Sequence, residues 1–156
     1  MADQIKTFKV EGARLRFRNF AGKEGDYNRE GDRNFAVLLP DDLADTMRED
    51  GWSVKMLKAR EEGDEEQPYI PVTVSFKNRP PRIVVITSAG RTNLNQQTVD
   101  MLDFADIRNV DLICRGYDWT VNGKSGTKAY LQTMFVEIEE DELERKYAQR
   151  NSEDAD

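Results

Sequence analysis

The sequence predicts a mainly β domain that folds as a small closed barrel, and three observations lead to this fold class. Several segments alternate apolar and polar residues with the period of two that a half-buried strand requires. Glycine-rich and proline-rich turns separate these segments, and the helical patterns between them are short. Because 156 residues suffice for one buried core, we expect a single domain rather than two.

The first strand is predicted over residues 13–20, where the alternation places Phe17 on the core face and Phe20 on the outer face. A glycine-rich loop follows it, and Pro40 ends the next apolar run before a short helix begins. The other elements predicted up to residue 56 are a loop over 21–32, a buried strand over 34–39, a helix over 41–50 and a short strand over 52–56.

The second half carries the longest strand candidates, which Asn122 and Gly123 join as a hairpin turn within an extended loop. A short helix ahead of these two closing strands is typical of the OB-fold, a five-stranded Greek-key barrel whose ligand face lies on its second and third strands. The elements predicted here are an exposed acidic loop over 61–66, strands over 70–76 and 83–86, a helix over 98–105, strands over 110–121 and 129–138, a helix over 141–149 and a disordered end over 151–156.

These elements predict an OB-fold domain over residues 1–140, with extra short helices and strands. Residues 141–156 are predicted to form an acidic C-terminal helix and tail. We see no internal repeat and no low-complexity linker that would divide the chain further.

Charge is unevenly distributed along the chain. Residues 137–156 contain nine acids and three bases, whereas the preceding residues contain twenty bases and twenty-one acids. Residues 12–23 and 67–99 carry four bases each and no acid. Such basic stretches beside an acidic end indicate a polyanion-binding domain with a tail that competes for the same surface.

Composition narrows the classes of function. The chain has no histidine, the commonest general base and metal ligand, which weighs against an enzyme. We assign no catalytic residue, no metal site and no cofactor. The single cysteine, Cys114, lies in an apolar run and is predicted to be a buried structural thiol. No apolar run is long enough to span a membrane, and the first residues lack a signal-peptide pattern, so we expect a cytoplasmic protein.

A row of arginines is the first candidate binding feature. Arg14, Arg16 and Arg18 recur at every second position, and Phe20 continues the same predicted face. On a strand their guanidinium groups would lie about 6.6 to 6.8 Å apart, a spacing suited to the phosphates of an extended single strand. The alternative is a solvated outer strand whose charges only keep the domain soluble.

A second candidate has the same spacing on a later strand. Arg115, Tyr117 and Trp119 would share one face, where the rings could stack on bases and the arginine could neutralise phosphate. The alternative is that the two rings pack into the interior, which Ile113 and Val121 in the same phase favour.

Two loops and the final hairpin add further candidates. The segment over 22–35 combines Tyr27, Arg29 and Arg33 with glycines, which suits wrapping around a strand, although a plain connecting loop would look similar. The turn over 75–82 concentrates bases that could grip phosphate, or that simply face solvent. The remaining basic candidates are Lys77, Arg79 and Arg82 in this turn and Lys124 and Lys128 in the final hairpin.

At these residues the sequence also resembles a known family, the single-stranded-DNA-binding proteins of tailed bacteriophages that have an OB-fold core. The resemblance covers about residues 10–147 and is carried by three runs. These are RNFAGKEGDYNREGDRNFAVLL, GWSVKMLKAREEGDEEQPYIPVTVSFKNRPPRIV and VDLICRGYDWTVNGKSGTKAYLQTMFVEIEEDEL. The resemblance implies a DNA-binding role for Arg16, Arg18, Tyr27, Arg33, Trp52, Lys55, Lys77, Arg79, Tyr117 and Trp119.

Together these features predict a non-enzymatic protein that coats single-stranded DNA without sequence preference in phage replication and recombination. The resemblance makes replication or recombination proteins candidate partners of the acidic tail. The rival interpretation is an acidic protein-binding module, such as a phage inhibitor or adaptor, that engages a basic host partner. The sequence leaves the oligomeric state, the site size and the cooperativity open.

Overall fold

The computed structural model describes residues 6–26, 28–58, 66–77 and 79–154, with side chains of the last helix described through residue 148. Tyr27 and residues 61–65 of the acidic loop therefore lie outside the described residues. None of the described helices combines the length and apolar composition that a bilayer crossing needs. The elements are β1 Thr7–Val10, β2 Leu15–Asn19, β3 Arg33–Leu38, α1 Asp41–Glu49, β4 Lys55–Leu57, β5 Gln67–Val74, β6 Arg82–Thr87, β7 Gly90–Leu94, a 3-10 helix Val99–Asp103, β8 Ile107–Val121, β9 Lys124–Ile138 and α2 Glu142–Asp154.

The strands close into a barrel in the order of an OB-fold. Strands β2, β3 and β5 pair antiparallel, β5 runs parallel to β9, and β8 and β9 form a hairpin. Strand β1 pairs with β8, while β2, which follows it directly along the chain, pairs with β3. The two short strands thus act as one broken barrel strand, and the Ala13 N–H donates to the Val110 carbonyl at 2.7 Å beside the break. Strand β6 forms a hairpin with β7 and also pairs with β9, and β4 pairs with β5.

Alternating residues of the paired strands fill the barrel. In β5, Ile70, Val72 and Val74 are buried and join one core with the inward residues of β3, β8 and β9. Cys114 belongs to this core, and burial raises the pKa of its thiol, as expected for a structural residue. Trp52 is also buried, edge-to-face against Phe8 with ring centroids 4.9 Å apart.

A β-bulge in β2 reverses the predicted facing of two aromatic residues. Arg16 pairs with Ala36 and Asn19 with Asn34, so two residues of β2 oppose one residue of β3. Phe17 adopts a left-handed conformation there, with φ of 53°. The extra residue shifts the alternation: Phe17 is 59% exposed, whereas Phe20 is fully buried. The prediction that Phe17 faces the core and Phe20 faces outward is wrong for this reason.

The closing hairpin is tighter than the sequence suggested. Val121 pairs directly with Lys124, so the predicted turn at Asn122 and Gly123 is confirmed and the extended loop around it is not. Both turn residues have positive φ, 53° and 78°, as a type I′ hairpin requires. Strands β8 and β9 consequently continue to the turn and present long outer faces.

Other differences concern short or terminal elements. The predicted strand over 52–56 begins at Lys55, and the predicted helix over 98–105 is a 3-10 helix. Strands β1 and β7 were not predicted, because four or five residues give too few alternations to recognise. The last helix continues through Asp154, where a disordered end was expected.

Candidate nucleic-acid interface

Strand pairing places four outward residues of the barrel side by side. Asn34 of β3 is opposite Thr73 of β5, which is opposite Tyr130 of β9, which is opposite Arg115 of β8. Their neighbours along β5 and β9, Val72, Val74, Ala129 and Leu131, are buried, so this row lies on the outer face. Strands β3 and β5 are the second and third strands of the barrel, the pair that carries the ligand face of OB-folds.

A groove of about 400 Å³ crosses the β8 and β9 end of this row. Tyr117 is 61% exposed, and its ring lies 6.0 Å from that of Tyr130 at an interplanar angle of 68°. Three cationic residues and no carboxylate line the groove among the described residues. The lining residues are Ser75, Lys77, Arg79, Arg115, Gly116, Tyr117 and Tyr130. We call this set the tyrosine groove.

Arg115 fixes the basic turn beside the rings. Its guanidinium donates to the Arg79 carbonyl at 3.2 Å, which ties the turn between β5 and β6 to the outer face of β8. The side chains of Lys77 and Arg79 remain exposed at the groove. Cationic side chains therefore line the same groove as the two tyrosines, an arrangement suited to binding the phosphates that flank a stacked base.

A second cavity of about 460 Å³ continues the groove toward the glycine-rich loop and shares Ser75, Lys77 and Tyr130 with it. The Arg33 guanidinium lies 5.7 Å from the centre of the Phe76 ring and donates to the Phe20 carbonyl. These two contacts hold Arg33 at the edge of the barrel. Asp32 also lines this cavity, so its charge is mixed.

Three predicted binding residues have structural contacts instead. Phe20 stacks on Phe35 inside the barrel, with ring centroids 5.0 Å apart, and its side chain is fully buried. Trp52 is also a buried core residue, packed edge-to-face against Phe8. Arg18 is half-buried and donates to the carbonyls of Leu102 and Ala105, both at 2.8 Å. It joins β2 to the end of the 3-10 helix.

Trp119 is neither a fully exposed stacking ring nor a ring packed into the interior, the two alternatives that the sequence left open. Its ring is on the outer strand face but half-buried, and its indole N–H donates to the Ser53 hydroxyl at 3.3 Å. Gly126 makes room for it: a Cβ on that residue would lie 3.0 Å from Trp119 Cζ2. One edge of the ring is thus fixed by the neighbouring segment.

The other basic candidates are exposed but dispersed. Arg14 and Arg16 line a separate groove of about 540 Å³ with Arg18, Arg108 and Asp106. Arg82 lies with Arg91 against the Phe135 ring, at 5.4 and 5.9 Å from its centre. Lys128 is exposed on β9, opposite Tyr117 of β8. Arg29, Lys55 and Lys124 are exposed and do not line the tyrosine groove.

Sequence reasoning missed Tyr130 and Phe76. Tyr130 alternates with the apolar Ala129 and Leu131 and shares a strand face with Lys128. That period of two was a readable sign of an outward aromatic residue next to a cation. Its pairing with Arg115 and Thr73 was not readable, because register across three strands is a property of the folded barrel.

A closed OB-type barrel whose ligand face combines exposed aromatic rings with cations defines the class of proteins that bind single-stranded nucleic acid. The family model described as "Putative phage ssDNA-binding domain" matches residues 2–156. The chain belongs to that family, as the sequence resemblance predicted.

Solved structures agree with the fold. The single-stranded DNA-binding protein from bacteriophage Enc34 is 11% identical, with a TM-score of 0.55 over 86% of this chain and 82% of that chain. The same protein in complex with ssDNA is 11% identical, with a TM-score of 0.56 over 86% of this chain and 88% of that chain. At this identity the likeness concerns the fold alone, and it confirms the predicted mainly β, OB-like class. No curated protein matches the sequence.

Proposed function

We propose that this protein binds single-stranded DNA in the tyrosine groove, without sequence preference and without catalysing a reaction, during phage DNA replication and recombination. The observation that carries the proposal is the exposed pair of Tyr117 and Tyr130, flanked by Lys77, Arg79 and Arg115 with no acid in the lining among the described residues. Family membership and the neighbour solved in complex with ssDNA support the same ligand.

The chemistry of the groove favours unpaired bases. Stacking of a base on an aromatic ring contributes about 1 to 3 kcal/mol, and every base offers such a face. The guanidinium and ammonium groups bind phosphates, which are common to all sequences. No residue of a described helix lines the tyrosine groove. The proposed site therefore contains no helix that could read base edges in the major groove of a duplex.

The acidic segment has a separate role in this proposal. Helix α2 begins with Glu142 and Glu144, which are exposed. An acidic element tethered to a basic face reaches a high local concentration and competes with phosphate. We propose that it weakens DNA binding until longer DNA, or a replication or recombination protein that binds the acidic segment, displaces it.

A binding titration tests the proposal against its rival. Labelled oligo-dT and a duplex of equal length are titrated with the protein at low salt, with and without Mg²⁺. We expect tighter binding of oligo-dT, independent of Mg²⁺, and no cleavage. An acidic protein-binding module would retain neither nucleic acid, and that outcome would overturn the proposal.

A further inference from the structure

Phe17 combines two features that a folded chain normally avoids. It is a non-glycine residue in the left-handed region, at φ of 53°, and its ring is 59% exposed. In this kind of bulge the first residue is usually glycine, because a Cβ is strained at positive φ. A glycine at this position would build the same bulge without strain and without exposing an apolar ring.

The neighbours of Phe17 explain where the ring lies. Its centroid is 6.2 Å from that of Tyr69, at an interplanar angle of 66°. Ala36 of the intervening strand β3 is only 3% exposed although it is not part of the core cluster. The small side chain of Ala36 thus lies on the outer face, where the two rings can approach each other across β3.

This ring pair lies on the same face of the barrel as the tyrosine groove. Tyr69 precedes Thr73 by four residues on β5, and Thr73 is opposite Tyr130. At about 3.3 Å per residue, the two ring pairs are separated by roughly 13 Å along the strand direction. Arg16, the residue before Phe17, is exposed and supplies a cation one residue from the ring pair along β2.

We propose that Phe17 and Tyr69 form a second stacking station for the bases of the same single-stranded DNA, with Arg16 contacting its phosphates. This inference rests on the proposed function and adds a second contact region to it. An OB-fold occupies about 4 to 16 nucleotides, so one strand can reach both ring pairs. The bulge holds the ring outward, as bulges next to functional sites commonly re-aim a side chain.

Because the backbone at Phe17 is strained, substitutions there can separate a loss of DNA affinity from a loss of stability. Phe17→Gly removes the ring and relieves the backbone, so its melting temperature should equal or exceed that of the original chain. Its affinity for oligo-dT should fall by about 5- to 150-fold, the equivalent of one lost stacking contact. Phe17→Leu should lose a similar factor because it keeps apolar bulk but has no ring. Phe17→Tyr should bind like the original chain.

Asn122→Gly is the matched control. Asn122 has the same φ of 53°, so this change relieves comparable backbone strain without removing an aromatic ring. It should leave the affinity for oligo-dT unchanged. If the original chain binds oligo-dT and Phe17→Gly and Phe17→Leu bind equally well, the second station is refuted while the proposed function stands. A change in oligomeric state with unchanged DNA affinity would also refute it, since Phe17 would then contact another copy. If the original chain does not bind oligo-dT, both proposals are wrong.

Discussion

At Gly116 the absence of a side chain lets a tryptophan pack beneath the proposed interface. A Cβ there would lie 2.6 Å from Thr127 Cγ2 and 3.0 Å from Trp52 Cη2. The first distance is too short for a Cβ, so the Thr127 side chain would have to shift, and the second would require the indole ring to move by a few tenths of an ångström. The glycine is therefore a requirement of the core, although its neighbours Arg115 and Tyr117 face the groove.

We predict that Gly116→Ala lowers the free energy of unfolding by about 1 to 3 kcal/mol, because it overpacks this contact. Urea unfolding of both proteins measures the difference. Gly25→Ala is the matched control, since a Cβ at Gly25 has no neighbour within 4 Å and this residue lacks a positive φ. Equal stability of Gly116→Ala and the original chain would show that the segment around Trp52 relaxes freely.

Tyr117 carries the next prediction, because its ring is largely exposed and its ring contact is with Tyr130 of the same groove. Tyr117→Ala should weaken oligo-dT binding by about 1 to 3 kcal/mol and leave the melting temperature nearly unchanged. Tyr147→Ala is a suitable control, since Tyr147 is 55% exposed against 61% for Tyr117 and lies on helix α2. Equal loss of affinity in both variants would argue against a stacking role specific to the groove.

At the scale of elements, one carboxylate joins the 3-10 helix to the end of β2. Asp103 accepts hydrogen bonds from the N–H of Phe20 at 2.6 Å and from that of Ala21 at 3.1 Å. These donors belong to the residues where the strand leaves the barrel and the glycine-rich loop begins. The contact therefore positions one border of the candidate interface.

Asp103→Ala is expected to lower the free energy of unfolding by about 1 to 3 kcal/mol, since it leaves two partly buried N–H groups without their acceptor. Thermal or urea unfolding checks this value. Asp100→Ala on the same 3-10 helix removes an exposed carboxylate and should have little effect. If the two variants are equally stable, water replaces the Asp103 carboxylate and the contact does not hold the loop.

The elements also show which features were readable from the sequence. Period-two alternation predicted β5, β8 and β9 because each is long and has one buried face. The same rule failed in β2, because a bulge adds one residue there and its positive-φ position holds Phe17 instead of the glycine that would mark a bulge in the sequence. Phe20 was therefore assigned to the wrong face.

The kinds of side chain in the candidate site were predictable from the sequence, whereas the full set of residues that form it was not. Tyr117, Arg115, Lys77 and Arg79 were identified from spacing and charge, and the fold brings them together. The burial of Trp52 was not predicted, because its indole packs against Gly116, which lies 64 positions away in sequence. Contacts of that kind arise from tertiary packing and leave no local pattern.

At the scale of the whole molecule, charge is segregated between a cationic groove and an acidic C-terminal segment. Residues 150–156 carry three acids and one base. We predict that removing them raises affinity for single-stranded DNA at low salt. The gain should shrink as salt screens the interaction, with a Debye length of about 10 Å at 0.1 M. Unchanged affinity at low salt would mean that these acids do not reach the groove.

The central claim is that the tyrosine groove neutralises DNA phosphates, and the salt dependence of binding tests it most directly. Affinity for oligo-dT is measured from low to moderate salt for the original chain and for a triple variant, Lys77→Gln, Arg79→Gln and Arg115→Gln. A control with the same charge change, Lys9→Gln, Arg48→Gln and Lys58→Gln, alters exposed residues that do not line the groove.

Each neutralised phosphate contributes about −0.7 to the slope of log affinity against log salt for single strands. We predict that the groove variant binds more weakly and has a slope about 2 less steep than the original chain. The control variant should keep the original slope. A groove variant with the original slope and affinity would contradict the assignment of this surface to DNA.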